Sequence, residues 1–159
     1  QAHVTIHDRR VVDAALSRAE STGAAAAAIE LPDGKIMTGK TSNLLGPSAA
    51  LILNALKELA GIDHDLHVIS PTAIEPIQKV KTQYLGSKNP RLHIDEILIA
   101  LSISSAANPA AQHAMEQLPK LKGCQVHTSV MLSSVDIKLF KKLGIQLTCE
   151  PKYEHDPIY

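Results

Sequence analysis

The sequence predicts an α/β fold, a three-layer α/β/α sandwich with a mixed, mostly parallel sheet. Three observations carry that expectation. Two short apolar runs flank Leu31-Pro32-Asp33-Gly34, the pattern of a β-hairpin turn. Beyond the hairpin, strand-length apolar runs alternate with stretches whose apolar residues recur at helical spacing, as in βαβ units. Several of those stretches open on Pro or a small polar residue and close on Gly, as helix ends do.

The first helix is expected over residues 8–21, with Val11, Val12, Ala15, Leu16 and Ala19 on one face and Gly23 as its stop. Residues 24–31 and 35–39 form the hairpin arms. Pro47 suits the first turn of a second helix, Leu51, Ile52, Ala55, Leu56 and Leu59 turn inward, and Gly61 ends it. Residues 67–70 read as a short buried strand. A third helix starts near Thr72, where Thr72-Ala73-Ile74-Glu75 fits a capping box, with Ile74, Ile77, Val80 and Tyr84 inward and Gly86 beyond. Residues 94–103 are almost unbroken apolar and read as a central strand covered on both faces. Asn108-Pro109 opens a short fourth helix. A strand over 126–132, a helix over 134–143 stopped by Gly144, and a strand over 145–149 complete the pattern. Residues 1–7 read as a lead-in, 8–150 as one domain and 151–159 as a tail. The order α-β-β-α-β-α-β at the start is similar to that of the cytidine-deaminase-like fold, a likeness of topology that carries no chemistry by itself.

Composition narrows the function classes. Lys plus Arg and Asp plus Glu number 16 each, so no net field attracts nucleic acid or anionic lipid. With no Trp, one Phe and three Tyr there is no aromatic platform for stacking bases. A nucleic-acid partner is therefore disfavoured. No apolar run approaches the roughly 20 residues of a membrane-spanning helix, so no membrane contact is expected. Cys124 and Cys149 make neither a C-x-x-C pair nor a disulfide framework, and point to reduced thiols in a cytoplasmic protein. The start at Gln1 rather than Met points to a fragment or processed product of a longer parent.

Catalytic motifs are incomplete. A zinc deaminase needs His/Cys-x-Glu at one helix start and P-C-x-x-C at the next. The corresponding positions hold Gly46-Pro47-Ser48-Ala49 and Pro71-Thr72-Ala73-Ile74-Glu75, with no thiolate or imidazole. The eight histidines (3, 7, 64, 67, 93, 113, 127 and 155) are scattered, and H-E-x-x-H is absent. No metal and no cofactor are expected from these residues. There is no G-x-S-x-G elbow either.

Residues 34–41, GKIMTGKT, satisfy the phosphate-loop pattern G-x-x-x-x-G-K-[ST] at every fixed position. In a phosphate loop the helix begins at the lysine, aiming its first N–H groups at the anion. Here the first glycine belongs to the hairpin turn, and the helix signal arrives only at Gly46-Pro47. What is left is a polar segment, Lys40, Thr41, Ser42 and Asn43, leading to a helix N-terminus that can hold an anion. A second polar loop, Ser87-Lys88-Asn89-Pro90-Arg91-Leu92-His93, offers Lys88, Asn89 and Arg91 for a phosphate or carboxylate, Arg as a bidentate fork and Lys as a point charge. The bland account of both loops is a solvated connection.

The strings AAAAIELPDGKIMTGKTSNLLGPSAALILNALKELAGI, ISPTAIEPIQKVKTQYLGSKNPRLHIDEILIALSISSAANPAAQ and FKKLGIQLTCEPKY closely resemble the C-terminal region of a bacterial family, domain of unknown function 1846. The resemblance covers residues 8–153. It implies a cytoplasmic bacterial protein and a longer parent whose N-terminal domain is the first partner to consider. It implies no catalytic residues. Two functions follow as expectations: an accessory ligand-binding or assembly domain, non-catalytic alone, that packs on the N-terminal domain or on a second copy; or half of an interdomain active site for a nucleotide or phosphorylated small molecule.

Overall fold

A computed structural model describes residues 10–153. The expected lead-in, His3, His7, His155 and all but the first three residues of the expected tail lie outside them. Among the described residues there are six α-helices and one four-stranded sheet. The elements are α1 (Arg10–Thr22), β1 (Ala26–Glu30), β2 (Ile36–Lys40), α2 (Pro47–Ala60), α3 (Pro71–Lys79) running on as a π-helical turn (Val80–Tyr84), α4 (Ile94–Ser105) and α5 (Pro109–Met115). A 3-10 turn (Leu118–Leu121) precedes β3 (Gln125–Thr128), α6 (Ser134–Lys142) and β4 (Gln146–Cys149).

The hairpin forms where its turn chemistry places it. Gly34 takes a φ of +87°, open to a residue without a Cβ, and Leu31 N donates to Lys35 O at 2.8 Å. Ala28 lies opposite Thr38. The strands run in the order β2-β1-β3-β4, with β1 antiparallel to both β2 and β3 and only β3–β4 parallel. Strand alternation then sorts the two faces of β1. Ala28 packs with Val11 and Ala15 of α1, whereas Ala27 and Ile29 join Leu51, Ile52 and Ala55 of α2 in the main core. That core extends through Ile94, Ile97 and Leu101 of α4 to Phe140 of α6.

Three expectations fail, for identifiable reasons. Residues 94–103 are not a central strand but most of α4. A fully apolar run does not distinguish a buried strand from a helix by periodicity, and ten residues is long for a strand. The helix start decides it: Glu96 Oε1 accepts from His93 N at 2.7 Å and Asp136 Oδ1 from Ile94 N at 3.1 Å, placing carboxylates on the positive end of α4. Residues 67–70 form no strand either. Val68 and Ile69 are buried in irregular chain, and Ser70 caps α3 by accepting from Thr72 N at 3.2 Å, two residues ahead of the expected cap. Without those two strands the sheet is mostly antiparallel rather than mostly parallel, and the alternation behind the deaminase-like likeness is missing. Finally, Val80 and Tyr84 face outward, 45% and 68% exposed. Both stand in the π turn, whose wider spacing rotates them off the buried stripe of α3.

Candidate functional site

The two polar loops singled out in the sequence meet in space. Leu45 and Leu92 form a parallel bridge, Leu92 N donates to Leu44 O at 2.9 Å, and Gly46 N donates to Leu92 O at 3.2 Å. Arg91 Nε donates to Ser42 O at 2.6 Å. Asn89 Oδ1 accepts from Arg91 N at 3.1 Å, an Asx turn that sets the course of the second loop. Its other anchor is the buried Lys81, whose Nζ donates to Arg91 O at 2.6 Å and to Glu96 Oε1 at 2.9 Å.

These contacts shape one wall of a cavity of about 190 Å³, to which Asn89, Arg91, His93, Ser133, Asp136 and Tyr153 contribute. Three helices begin on it: Gly46, His93 and Ser133 are the N-caps of α2, α4 and α6, and all three line the cavity. Each brings the positive end of its dipole, although part of the N–H set is already used at α4, where His93 N and Ile94 N donate to Glu96 and Asp136, and at α6, where Asp136 N donates to Ser133 Oγ. At α2 no side chain caps the helix; Gly46 and Pro47 line the cavity, with Ser48 and Ala49 buried behind them. The Arg91–Ser42 bond uses the Nε hydrogen, and among the described residues no carboxylate pairs with the guanidinium.

Asp136 and His93 supply the titratable groups. Asp136 is 5% exposed. Burial pushes its carboxyl up, with further upward push from Asp95 and Glu96, against the opposing Ile94 N–H and the His93 charge. His93 is also raised, first by its hydrogen bond to Glu96, which outweighs its own desolvation, and then by the Asp136 charge. A buried carboxyl and an imidazole, each with its proton affinity raised, thus face the same small space.

Of the residues expected from sequence, Asn89 and Arg91 line the cavity, and Ser42 reaches it through its carbonyl bond to Arg91. Asn43 sits behind it, its carbonyl accepting from Gln78 Nε2 at 3.0 Å. Lys40 and Lys88 are exposed and stand outside the lining, and Thr41 is buried with its Oγ1 unpartnered among the described residues. Ser133 and Asp136 are not among the residues expected from the sequence. Their signal was present: Ser133-x-x-Asp136 is a helix-start pattern, and Ser133 Oγ accepts from Asp136 N at 3.3 Å. The expected tail also takes part, since Met131 N donates to Lys152 O and Tyr153 closes one side of the cavity.

Two other clusters read differently. His93, Asp95 and Glu96 bring ligand-type atoms within 4.8 Å of one another. The Lys81 ammonium already lies 2.9 Å from a Glu96 oxygen, where it would repel a second cation. His127 is fully buried on the sheet, with Nδ1 at 2.6 Å from Thr148 Oγ1 and Nε2 at 2.7 Å from Glu150 Oε2. That is a core histidine satisfied on both nitrogens. The Cys124 thiol is pushed up by burial and then by the Glu30 charge, which suits an inert core thiol. No helix among the described residues is long and apolar enough to cross a membrane.

Residues 7–159 match the family described as "Domain of unknown function DUF1846, C-terminal". The UPF0371 protein of Corynebacterium glutamicum (strain R) is 57% identical over 159 residues, which is 100% of this chain and 32% of that protein. The UPF0371 protein of Streptococcus thermophilus (strain ATCC BAA-491 / LMD-9) is 50% identical over 156 residues, 98% of this chain and 32% of that one. The chain therefore spans about a third of the length of the relatives it matches. At these identities and this coverage, the chain belongs to the DUF1846 family and corresponds to its C-terminal domain.

Proposed function

We propose that this is an accessory ligand-binding domain of a larger bacterial protein, non-catalytic alone, whose cleft holds an anionic group such as a phosphate or carboxylate on a small molecule. The carrying observation is the convergence of three helix N-termini and Arg91 on one cavity of about 190 Å³. That volume is below the range of drug-sized pockets, so it suits a headgroup rather than a whole nucleotide. Asn89 and Arg91 are the contacts of choice, with Ser42 orienting the guanidinium.

Helix ends give a few tenths to about 1 kcal/mol each toward an anion, and a charge-assisted Arg contact gives more. Inorganic phosphate alone should then bind in roughly the millimolar range. Arg91→Ala should weaken it about tenfold, equivalent to about 1.4 kcal/mol, in isothermal titration calorimetry. Equal affinity of the two proteins would reject the site.

His93 and Asp136 favour a second function, half of an active site completed by the rest of the parent chain. Displaced acid and base groups lining one cavity are what proton transfer needs. Turnover of a phosphorylated compound by the full-length protein, lost in His93→Gln while phosphate still binds, separates it from simple binding.

A further inference from the structure

Helix α4 has the composition of a helix buried on all sides, yet one side of it is bare. Residues 97–105, ILIALSISS, carry no charge. Ile94, Ile97, Ala100 and Leu101 fill the core, while Ile99 and Ile103, one turn apart on the opposite side, are 60% and 70% exposed with the exposed Ser102 between them. The outward face of α6, by contrast, carries Lys138, Lys141 and Lys142 beside its less exposed Val135 and Ile137. A single exposed Ile is unremarkable. A helix apolar on every side is normally covered on every side. The π turn that Lys81 ties to the first turn of α4 also leaves Tyr84 and Leu85 exposed, 68% and 75%.

We propose that the Ile99–Ser102–Ile103 face of α4 is the seat on which the remainder of the parent polypeptide docks. Relatives at least 50% identical to this chain over the part they share with it are about three times as long, so a large covalently attached body is at hand. Covalent attachment raises the effective concentration to roughly millimolar, at which a small apolar patch suffices. A second copy is a poorer fit: two isoleucines and a serine fall well short of the roughly 800 Å² per partner that a stable dimer buries. The inference depends on the longer parent and is independent of the anion cleft.

The test is hydroxyl-radical footprinting of the full-length protein, read residue by residue by mass spectrometry, at two concentrations with the mass followed by light scattering. Ile99 and Ile103 should be oxidised about tenfold more slowly in the native monomer than in the unfolded protein, equally at both concentrations. Oxidation near the unfolded rate would overturn the proposal. So would protection that disappears on dilution as a dimer becomes a monomer, since the occupant would then be a second copy.

Discussion

Gly39→Ala is expected to destabilise the fold by about 3 kcal/mol, at the upper end of what one inserted methyl costs in a packed interior. A Cβ on Gly39 would stand 2.7 Å from Leu51 Cα and 2.8 Å from Ala50 C, and nearer still to Leu51 N. All three are backbone atoms of α2, so no side chain can swing aside and strand and helix must separate. Strand glycines often mark such a close approach of another backbone. Urea unfolding followed by far-UV circular dichroism should show the midpoint falling by about 1.5 M. Lys40→Ala, at the exposed next position, should stay within about 0.5 kcal/mol of the parent sequence. A Gly39→Ala protein as stable as the original would mean that α2 does not lie on this strand.

This also resolves the phosphate-loop lookalike. In a true phosphate loop the second glycine lets the backbone reach the anion. Here the same letter, Gly39, lets α2 reach the sheet, and the helix N-terminus that does face a cavity lies beyond Ser42 at Gly46. The motif was right in composition and wrong in its object.

How much could be read in advance follows the range of the interactions. Local chemistry was legible. Pro-Asp-Gly announced the hairpin, Pro47 and Gly61 bracketed α2, and Gly61 does end it in the left-handed region at φ +70°. Helix α4 was not, because the residues that make it a helix include Asp136, 42 positions from the Ile94 N–H it accepts. The site divides the same way. Asn89 and Arg91 were visible as polar groups in a loop, whereas their meeting with Ser42, 49 residues from Arg91, depends on the tertiary fold. Strand order was equally out of reach, since pairing of β1 with β3 joins Ala27 to Thr128.

Glu96→Ala should cost about 3 kcal/mol near neutral pH, because it strands a buried cation. The Lys81 side chain is 10% exposed, and its ammonium would retain only Arg91 O. Glu96 itself is 23% exposed, and that access to solvent keeps the cost at the low end of the range for broken buried pairs. The pH dependence identifies the charge responsible. Burial alone would push the Glu96 carboxyl up, but the His93 ring and N–H and the Lys81 ammonium hold it down at about 2, against an ordinary 4.5. A carboxyl depressed in the folded state contributes stability above its unfolded pKa and loses it as pH falls through the folded one. The gap between native protein and variant should therefore be complete at pH 6 and narrow steadily as pH drops from 4.5 toward 2. Asp136 acts in the opposite sense. Its raised carboxyl takes up a proton more readily in the fold than in the unfolded chain, which favours the fold as acid is added. Asp136 is present in both proteins, and Glu96→Ala removes only the smallest of the upward pushes on it, so Asp136 offsets acid loss in each and the main difference between them stays with Glu96. Urea midpoints at about pH 6 and about pH 3 read that difference, and an unchanged gap would show that Glu96 does not carry the charge that holds Lys81 and, through it, the Arg91 loop.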